Sequence, residues 1–408
     1  MKAPRGTFDV LPEDGLDRLD LLELSRDLLG RALYDYVETP VFEHTELFAR
    51  GVGESTDVVQ KEMFTFEDKA GRSLTLRPEG TAAICRSYIE HGMHKRAQPV
   101  KVWYWGPFFR HEAPQAGRFR QFAQVGAEVL GSDEPTVDAE LILLLSQLLE
   151  QSDCQEVRLR LSSLGTAETR RAYTAELRDW LREHEADLSE SVRARLELNP
   201  LRAFDSDDPQ TQAIMAEAPK LLDRLADEDA AHFAEVRSLL DDVGLEYEVD
   251  PGLVRGLDYY TRTVFEFESG VLGAQAALGG GGRYDGLVEV LGGPPTPGVG
   301  WAAGIERMLL ATRQGTSRES AGRVFVAVAK PERRLEAFDM VLGLRDNEIP
   351  AELDEAGRSL KGQLKQADRL DALWTVILGE ETELRDMRTG DQRAVEGFEG
   401  LLEAVRSE

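Results

Sequence analysis

The sequence predicts an α+β protein: a strand-rich body interrupted by a helical insertion, followed by a small α/β unit. Three observations predict it. Two apolar runs, Val100–Phe109 and Gln121–Leu130, form a long hairpin around a charged tip. Thr166 to Val243 is charged, acidic and almost entirely helix-forming, unlike its flanks. After residue 323 the pattern becomes strand, helix, strand.

The elements follow in order. From Leu16 to Val37, Leu19, Leu22, Leu28, Leu29 and Leu33 recur at helical spacing, and Thr39-Pro40 is expected to stop that helix. Val41-Phe42 reads as a short strand. Met63 to Arg77 reads as two strands around a turn at Asp68 to Gly71. Pro78 to Thr81 is a break, and Thr81 to His91 a helix. The hairpin comes next, with Glu112 to Arg118 at its tip, and Thr136 to Leu149 is an apolar helix. Strand signals return at Tyr247 and at Thr263 to Phe267, before the glycine run Gly279–Gly282, whose plain reading is a loop. Val299 to Ala311 is small and apolar, then helical. Arg313 to Gly322 is the best linker. Val324 to Ala329 and Thr375 to Leu378 read as strands around a helix from Pro331 to Leu344, which suggests a parallel sheet.

Bulk properties bound the function. A chain of 408 residues is long enough for two to three domains at about 150 residues each. The net charge is −27, which taken alone argues against a polyanionic partner. Cys85 and Cys154 lack metal-ligand spacing, and neither a metal nor a disulfide framework is expected. The start, MKAPRGTFDVLPED, predicts no signal peptide, and no apolar run approaches the roughly 20 residues of a membrane span. A reducing cytoplasm is the expected compartment.

Four clusters carry chemistry. In Thr75-Leu-Arg-Pro-Glu-Gly-Thr81 a carboxylate and a hydroxyl stand at a strand-to-helix break, suited to an ammonium group; a capped turn explains the pattern equally well. In Gly106-Pro-Phe-Phe-Arg-His-Glu112 the planar fork of Arg110 ends an apolar strand and suits a phosphate. Gln124 and Glu128 on the return strand share one face with Phe122, which fits a pocket floor better than open surface. In Leu253-Val-Arg-Gly-Leu-Asp-Tyr-Tyr260, Arg255 precedes a tyrosine pair that on a strand is more often core than ligand. Gly279-Gly-Gly-Gly-Arg-Tyr-Asp285 and Gly304-Ile-Glu-Arg307 allow close backbone approach beside Arg307. No P-loop or dinucleotide-binding glycine motif is present.

In this order the clusters resemble the class II aminoacyl-tRNA synthetases, and within them the histidyl-tRNA synthetase family. RGTFDVLP, TLRPEGTA, GPFFRHEAPQAGRFRQFAQVGAEVLG, LVRGLDYYTRTVFEF, LGGGGRYDGLV and GVGWAAGIERMLL all carry the likeness, which spans nearly the whole chain. The LVRGLDYY run separates this family from other class II members. One position departs, Ala123, where some relatives carry a larger residue.

The resemblance implies an antiparallel sheet with flanking helices over 1–312, a helical insertion at about 166–245, and an α/β anticodon-binding domain over 323–408. It implies a cytoplasmic homodimer, with Pro40 at the interface. Its substrates would be ATP with Mg2+, L-histidine and tRNA(His). It assigns Arg110 and Arg255 to the α-phosphate and Arg307 to the γ-phosphate, the three catalytic arginines. Glu79, Gly80, Thr81 and Gln124 would receive the histidine ammonium, and Glu128, Tyr259 and Tyr260 the imidazole. Gln115, Arg118 and Arg120 would meet the tRNA acceptor end. Arg358, Lys361 and Lys365 are read as a basic stripe at helical spacing in the last domain. A non-catalytic relative, like the regulatory subunit of ATP phosphoribosyltransferase, is the rival; its kind typically lacks the last domain and the catalytic arginines. A ligase for another amino acid conflicts with LVRGLDYY.

Overall fold

The computed structural model describes residues 1–53, 56–114, 117–197, 199–273, 276–312 and 323–406. The expected linker, Arg313 to Gly322, lies outside the described residues. The chain divides into two compact units, Met1–Arg313 and Gln314–Glu408.

The first unit opens with α1 (Pro12–Arg31), β1 (Asp35–Tyr36), β2 (Phe42–His44), α2 (Thr45–Val52), β3 (Phe64–Glu67), β4 (Ser73–Leu76) and α3 (Thr81–Glu90). The hairpin β5 (Val100–Phe109) and β6 (Gln121–Leu130) follows, then α4 (Pro135–Gln151) and β7 (Val157–Ser163). The acidic stretch holds α5 (Ala167–Glu183), α6 (Glu190–Arg195), α7 (Pro209–Glu217) and α8 (Asp227–Asp242). The unit closes with β8 (Glu248–Val249), β9 (Thr261–Ser269), β10 (Ala277–Arg283), α9 (Leu287–Val290), β11 (Gly298–Gly304) and α10 (Ile305–Ala311).

Eight strands make the main sheet in the order β1-β5-β6-β11-β10-β9-β7-β8. All neighbours from β5 to β7 are antiparallel, and β1 and β8 add a parallel strand at each edge. Alternation assigns the two faces. Val125, Ala127 and Val129 of β6 and Phe265 and Phe267 of β9 face a core built with α1, α4, α8 and α10. The other face carries the site. On that side α3 and α9 pack through Ile84, Tyr88, Leu287 and Val288.

Two expectations for this unit need correction. The first helix ends at Arg31, well before Thr39-Pro40. Leu33 adopts a left-handed φ of 63°, and the Tyr34 amide donates to Leu29 O at 3.0 Å, closing the turn. The chain can then lay Asp35 and Tyr36 beside Val102 and Trp103 of β5. Ladder bonds win over helical periodicity there, and Leu33 is left exposed. The glycine run is a strand and not a loop. A Cβ on Gly281 would stand 1.9 Å from Gly300 O, and one on Gly280 2.5 Å from Phe265 O. Only glycine lets β10 lie between such close neighbours.

The second unit holds β12 (Val324–Val328), α11 (Arg334–Asp346), β13 (Ala351–Leu353), α12 (Leu360–Arg369), β14 (Trp374–Leu378), β15 (Thr382–Asp386), β16 (Gln392–Ala394) and α13 (Gly397–Arg406). Its sheet runs β13-β12-β14-β15-β16. The first three strands are parallel as expected, but β15 and β16 extend the sheet antiparallel. Arg358 does not share the helical stripe of Lys361 and Lys365. It precedes the cap residue Ser359 and donates to Asp354 at 2.6 Å.

Candidate active site

A cavity of about 520 Å³ opens on the face of the main sheet opposite the α4 core. Glu79, Gly80, Thr81, Arg110, Arg118, Gln124, Arg255, Tyr259, Tyr260 and Arg307 all line it. These residues come from segments up to 228 positions apart, and the antiparallel ladder brings them together.

Three arginines are held by acceptors of the fold. Arg110 follows β5 directly. Its Nε donates to Pro78 O at 2.9 Å, and its guanidinium lies 5.5 Å from the Phe122 ring centroid. Arg255 Nη1 pairs with Glu266, and its guanidinium lies 5.9 Å from the Tyr260 ring centroid. Burial opposes the Arg255 charge, but Glu266 and Tyr260 more than offset it and raise its pKa. Arg307, in the first turn of α10, donates from Nε to Ala277 O. Burial, and then the nearby Arg118, lower its pKa. A cation disfavoured by burial and by a second cation gains from an incoming anion.

The opposite end is carboxylate and hydroxyl. Glu79 is buried, and its two oxygens accept from the amides of Thr81 at 2.7 Å and Ala82 at 3.0 Å, at the start of α3. Tyr259 donates to Glu79 at 3.4 Å. Burial raises the Glu79 pKa against these bonds. Gln124 Oε1 is buried and has no partner among the described residues. An acceptor left open in a cavity beside a carboxylate suits a donor-rich cation.

Glu128 is fully buried and stands behind the cavity wall. Thr81 Oγ1 donates to its Oε1 at 2.7 Å and Tyr284 to its Oε2 at 2.7 Å; Tyr104 approaches Oε1 at 3.5 Å. Burial pushes its pKa up to about 8. Glu128 shares the strand face of Phe122 and Gln124 as the alternation predicts, but both its oxygens are already bonded beneath the pocket floor. Contact with a ring requires one hydroxyl partner to give way.

Other expected residues are less central. Arg120 donates from Nε to Glu112 O at 3.3 Å and is not part of the lining, while Arg118 pairs with Glu112 at 3.1 Å. Gln115 lies outside the described residues. Tyr259 and Tyr260 stand in an irregular segment before β9, not on a strand, with ring centroids 4.7 Å apart.

Sequence reasoning passed over Tyr104, Tyr284, Glu266, Glu268, Gly300 and Arg202, all in the lining. The run Phe265-Glu-Phe-Glu268 alternates apolar and acidic, a period of two that places both carboxylates on the cavity face. Tyr104 fits because Gly80 and Gly126 flank it; a Cβ on either would come within 2.6 Å or 2.2 Å of its ring. No local signal marks Arg202, which arrives from the helical insertion.

Comparison with known proteins agrees in extent. A family profile described as histidyl-tRNA synthetase matches residues 6–308. A histidine–tRNA ligase of Rubrobacter xylanophilus is 50% identical over 99% of this chain and 99% of its own length. One of Thermosynechococcus vestitus is 44% identical over 100% and 97%. The apo crystal structure of Staphylococcus aureus histidyl-tRNA synthetase superposes with a TM-score of 0.81 at 36% identity, covering 100% of this chain and 99% of that one.

Proposed function

The chain belongs to the histidyl-tRNA synthetase family, and we propose that the cavity of the first unit is the place where it activates histidine. The reaction itself follows from membership: L-histidine is activated with ATP to histidyl-adenylate, and the histidyl group is transferred to tRNA(His). Full-length relatives that are ligases favour this over a non-catalytic regulatory subunit.

The observation that carries the assignment is three guanidinium groups on one cavity, opposite a buried carboxylate and an unpartnered amide oxygen. In the first step an oxygen of the histidine carboxylate attacks the α-phosphorus, and the bond to the bridging oxygen breaks to release pyrophosphate. That carboxylate is ionised near pH 7, so no strong base is needed. The barrier falls through alignment and through charge placed on the phosphoryl oxygens. Arg110 and Arg255 take the α-phosphate and Arg307 the γ-phosphate end. Glu79, the Gly80-Thr81 turn and Gln124 Oε1 take the ammonium.

An imidazole offers one donor and one acceptor. Glu128 accepts the ring N–H once a hydroxyl has yielded, and Tyr260 or Tyr259 donates to the other nitrogen. In the second step the terminal ribose hydroxyl attacks the carbonyl carbon of the adenylate and AMP leaves. Arg118, with Gln115 and Arg120, meets the acceptor end.

Mg2+ would come with ATP in this reading and would neutralise phosphate charge. Glu266 and Glu268 would hold it as oxygen donors, Glu266 by sharing its charge with Arg255 and Glu268 with Arg160. Both line the cavity on one face of β9, and Mg2+ is commonly held by one or two carboxylates with substrate phosphates.

A homodimer is supported by exposed apolar residues from Leu11 to Phe66, among them Leu19, Leu33, Val41 and Phe42, with Pro40 also exposed. Sedimentation at micromolar concentration tests it. A cytoplasmic location is supported by two unpaired cysteines and by the absence, among the described residues, of a helix able to cross a membrane. The 1–312 and 323–408 division is supported by the two compact units, and Lys361 and Lys365 on α12 are exposed cations for an anticodon stem.

ATP–pyrophosphate exchange with each amino acid in turn, followed by charging of tRNA(His), tests the assignment. Exchange that depends on histidine alone supports it. Exchange with no amino acid overturns it.

A further inference from the structure

The segment from Leu253 to Tyr260 carries Arg255 and both tyrosines, yet it has no regular ladder to hold it. Two neighbours fix it instead. The Asp258 amide donates to Val52 O at 3.1 Å, at the end of α2. From the other side Arg170 of α5 donates from Nη1 to Tyr260 O at 2.7 Å and from Nη2 to Asp258 O at 2.8 Å. One guanidinium fork thus spans the backbone on both sides of Tyr259. Tyr260 is buried in the apolar cluster of the insertion, with Tyr173 and Leu177 of the same α5.

The root of α5 is itself anchored to β9. Thr166 caps the helix by accepting from the Thr169 amide, and its own amide donates to Asp229 at 2.9 Å. The other Asp229 oxygen accepts from Arg262 Nε at 2.9 Å, and the Arg262 amide donates to Gly165 O at 2.7 Å. Arg170 sits one turn above this knot, with little freedom to move relative to the segment it serves.

We propose that Arg170 is a positioning residue for histidine recognition, through which the helical insertion sets the place of Tyr259 and Tyr260. This rests on the reading of the cavity as the histidine site. Arg170 is not part of the cavity lining. Its fork holds two carbonyl oxygens at once, which a single ammonium or amide cannot reproduce. Losing it removes both donors from the Asp258 and Tyr260 carbonyls, and the tyrosines then sample other positions. Arg110 and Arg307 sit on other elements, and Arg255, though in the same segment, has its own hold on Glu266, so the larger loss falls on histidine.

The test is steady-state ATP–pyrophosphate exchange on the full chain, comparing Arg170→Met and Arg170→Gln with the unmutated protein. Arg170→Met is expected to raise the histidine KM at least about tenfold, while the ATP KM stays within about twofold. Arg170→Gln, which keeps one donor, is expected to fall between. Combining Arg170→Met with Tyr259→Phe is expected to cost less than the two single losses multiplied, because both act on the same hydroxyl. If Arg170→Met does not fold, Arg170→Gln carries the test, with a rise of about threefold or more expected. An unchanged histidine KM, or equal rises for histidine and ATP, overturns the proposal. An unmutated chain without histidine-dependent exchange overturns instead the reading of the cavity.

Discussion

The Tyr284 hydroxyl donates to Oε2 of Glu128 at 2.7 Å, deep behind the cavity wall. With Thr81 on the other oxygen, the carboxyl group joins the start of α3, the glycine strand and β6 in one polar knot. Such a knot costs little when satisfied and much when broken. It also ties protonation to folding.

The Glu128 pKa is raised by burial from 4.5 to about 8, and that of Asp138 from 3.8 to about 6. Both folded values exceed the unfolded ones. Their stabilising contribution is therefore complete below about pH 4 and is lost as pH rises through the folded values. Between pH 6 and 8 the loss belongs mainly to Glu128. Glu128→Gln is expected to flatten the fall in melting temperature over that range and to leave below pH 6 only the part that Asp138 contributes. Thermal melts of both proteins from pH 5 to 8.5 check this; parallel curves would refute it.

Gly300 gives the same carboxyl its room. A Cβ there would stand 1.6 Å from Glu128 Oε2 and 2.7 Å from Ala127 O. Gly300→Ala must push the carboxyl off its partners or bend β11. A stability loss of about 1–3 kcal/mol is expected, the range for overpacking. Histidine affinity should fall more than ATP affinity, as measured by calorimetric titration of each ligand.

Much of this was legible in the sequence, and particular residues show why. Phe122, Gln124 and Glu128 share a face because a strand alternates strictly, and Ala123 turns into the opposite core for the same reason. The hairpin limits follow from continuous apolar runs. Periodicity failed where ladder bonds overrode it, at Asp35–Tyr36 and in the glycine strand. Burial depth was also hidden. Gln124 and Glu128 have the same spacing signal, but only Gln124 reaches the cavity. Arg170 gave no signal, because its acceptors lie about ninety residues away.

Arg255 is expected to matter for the chemical step more than for folding. Removing one donor aimed at developing charge typically costs about 3–4 kcal/mol, or 10²–10³ in rate. Arg255→Ala should lower histidine-dependent exchange by that factor. Glu266 keeps a second cation, Arg160, at 3.9 Å, so the vacated carboxylate is not left alone. Exchange kinetics with a melting curve on the same sample check both halves; near-normal exchange would sink the role.

Arg283 and Asp138 form the opposite case, an ion pair that serves the fold. Both side chains are fully buried, and Arg283 Nη2 meets Asp138 Oδ2 at 2.6 Å. Arg283 also donates to Ser132 O at 3.0 Å and Glu134 O at 3.1 Å, fastening the glycine strand to the loop before α4. Removing one partner strands the other, at about 3–5 kcal/mol for a buried pair. Arg283→Met is thus expected to be strongly destabilising, with Asp138 driven further toward its neutral form. Adding Asp138→Leu removes the stranded carboxyl and should recover part of the loss, since Asp285, the other carboxylate that Arg283 meets, keeps its bonds from Thr261 and the Gly298 amide. Urea midpoints of the single and double variants measure it. A double variant less stable than Arg283→Met alone would show that the pair's worth lies in its hydrogen bonds and not in its charge.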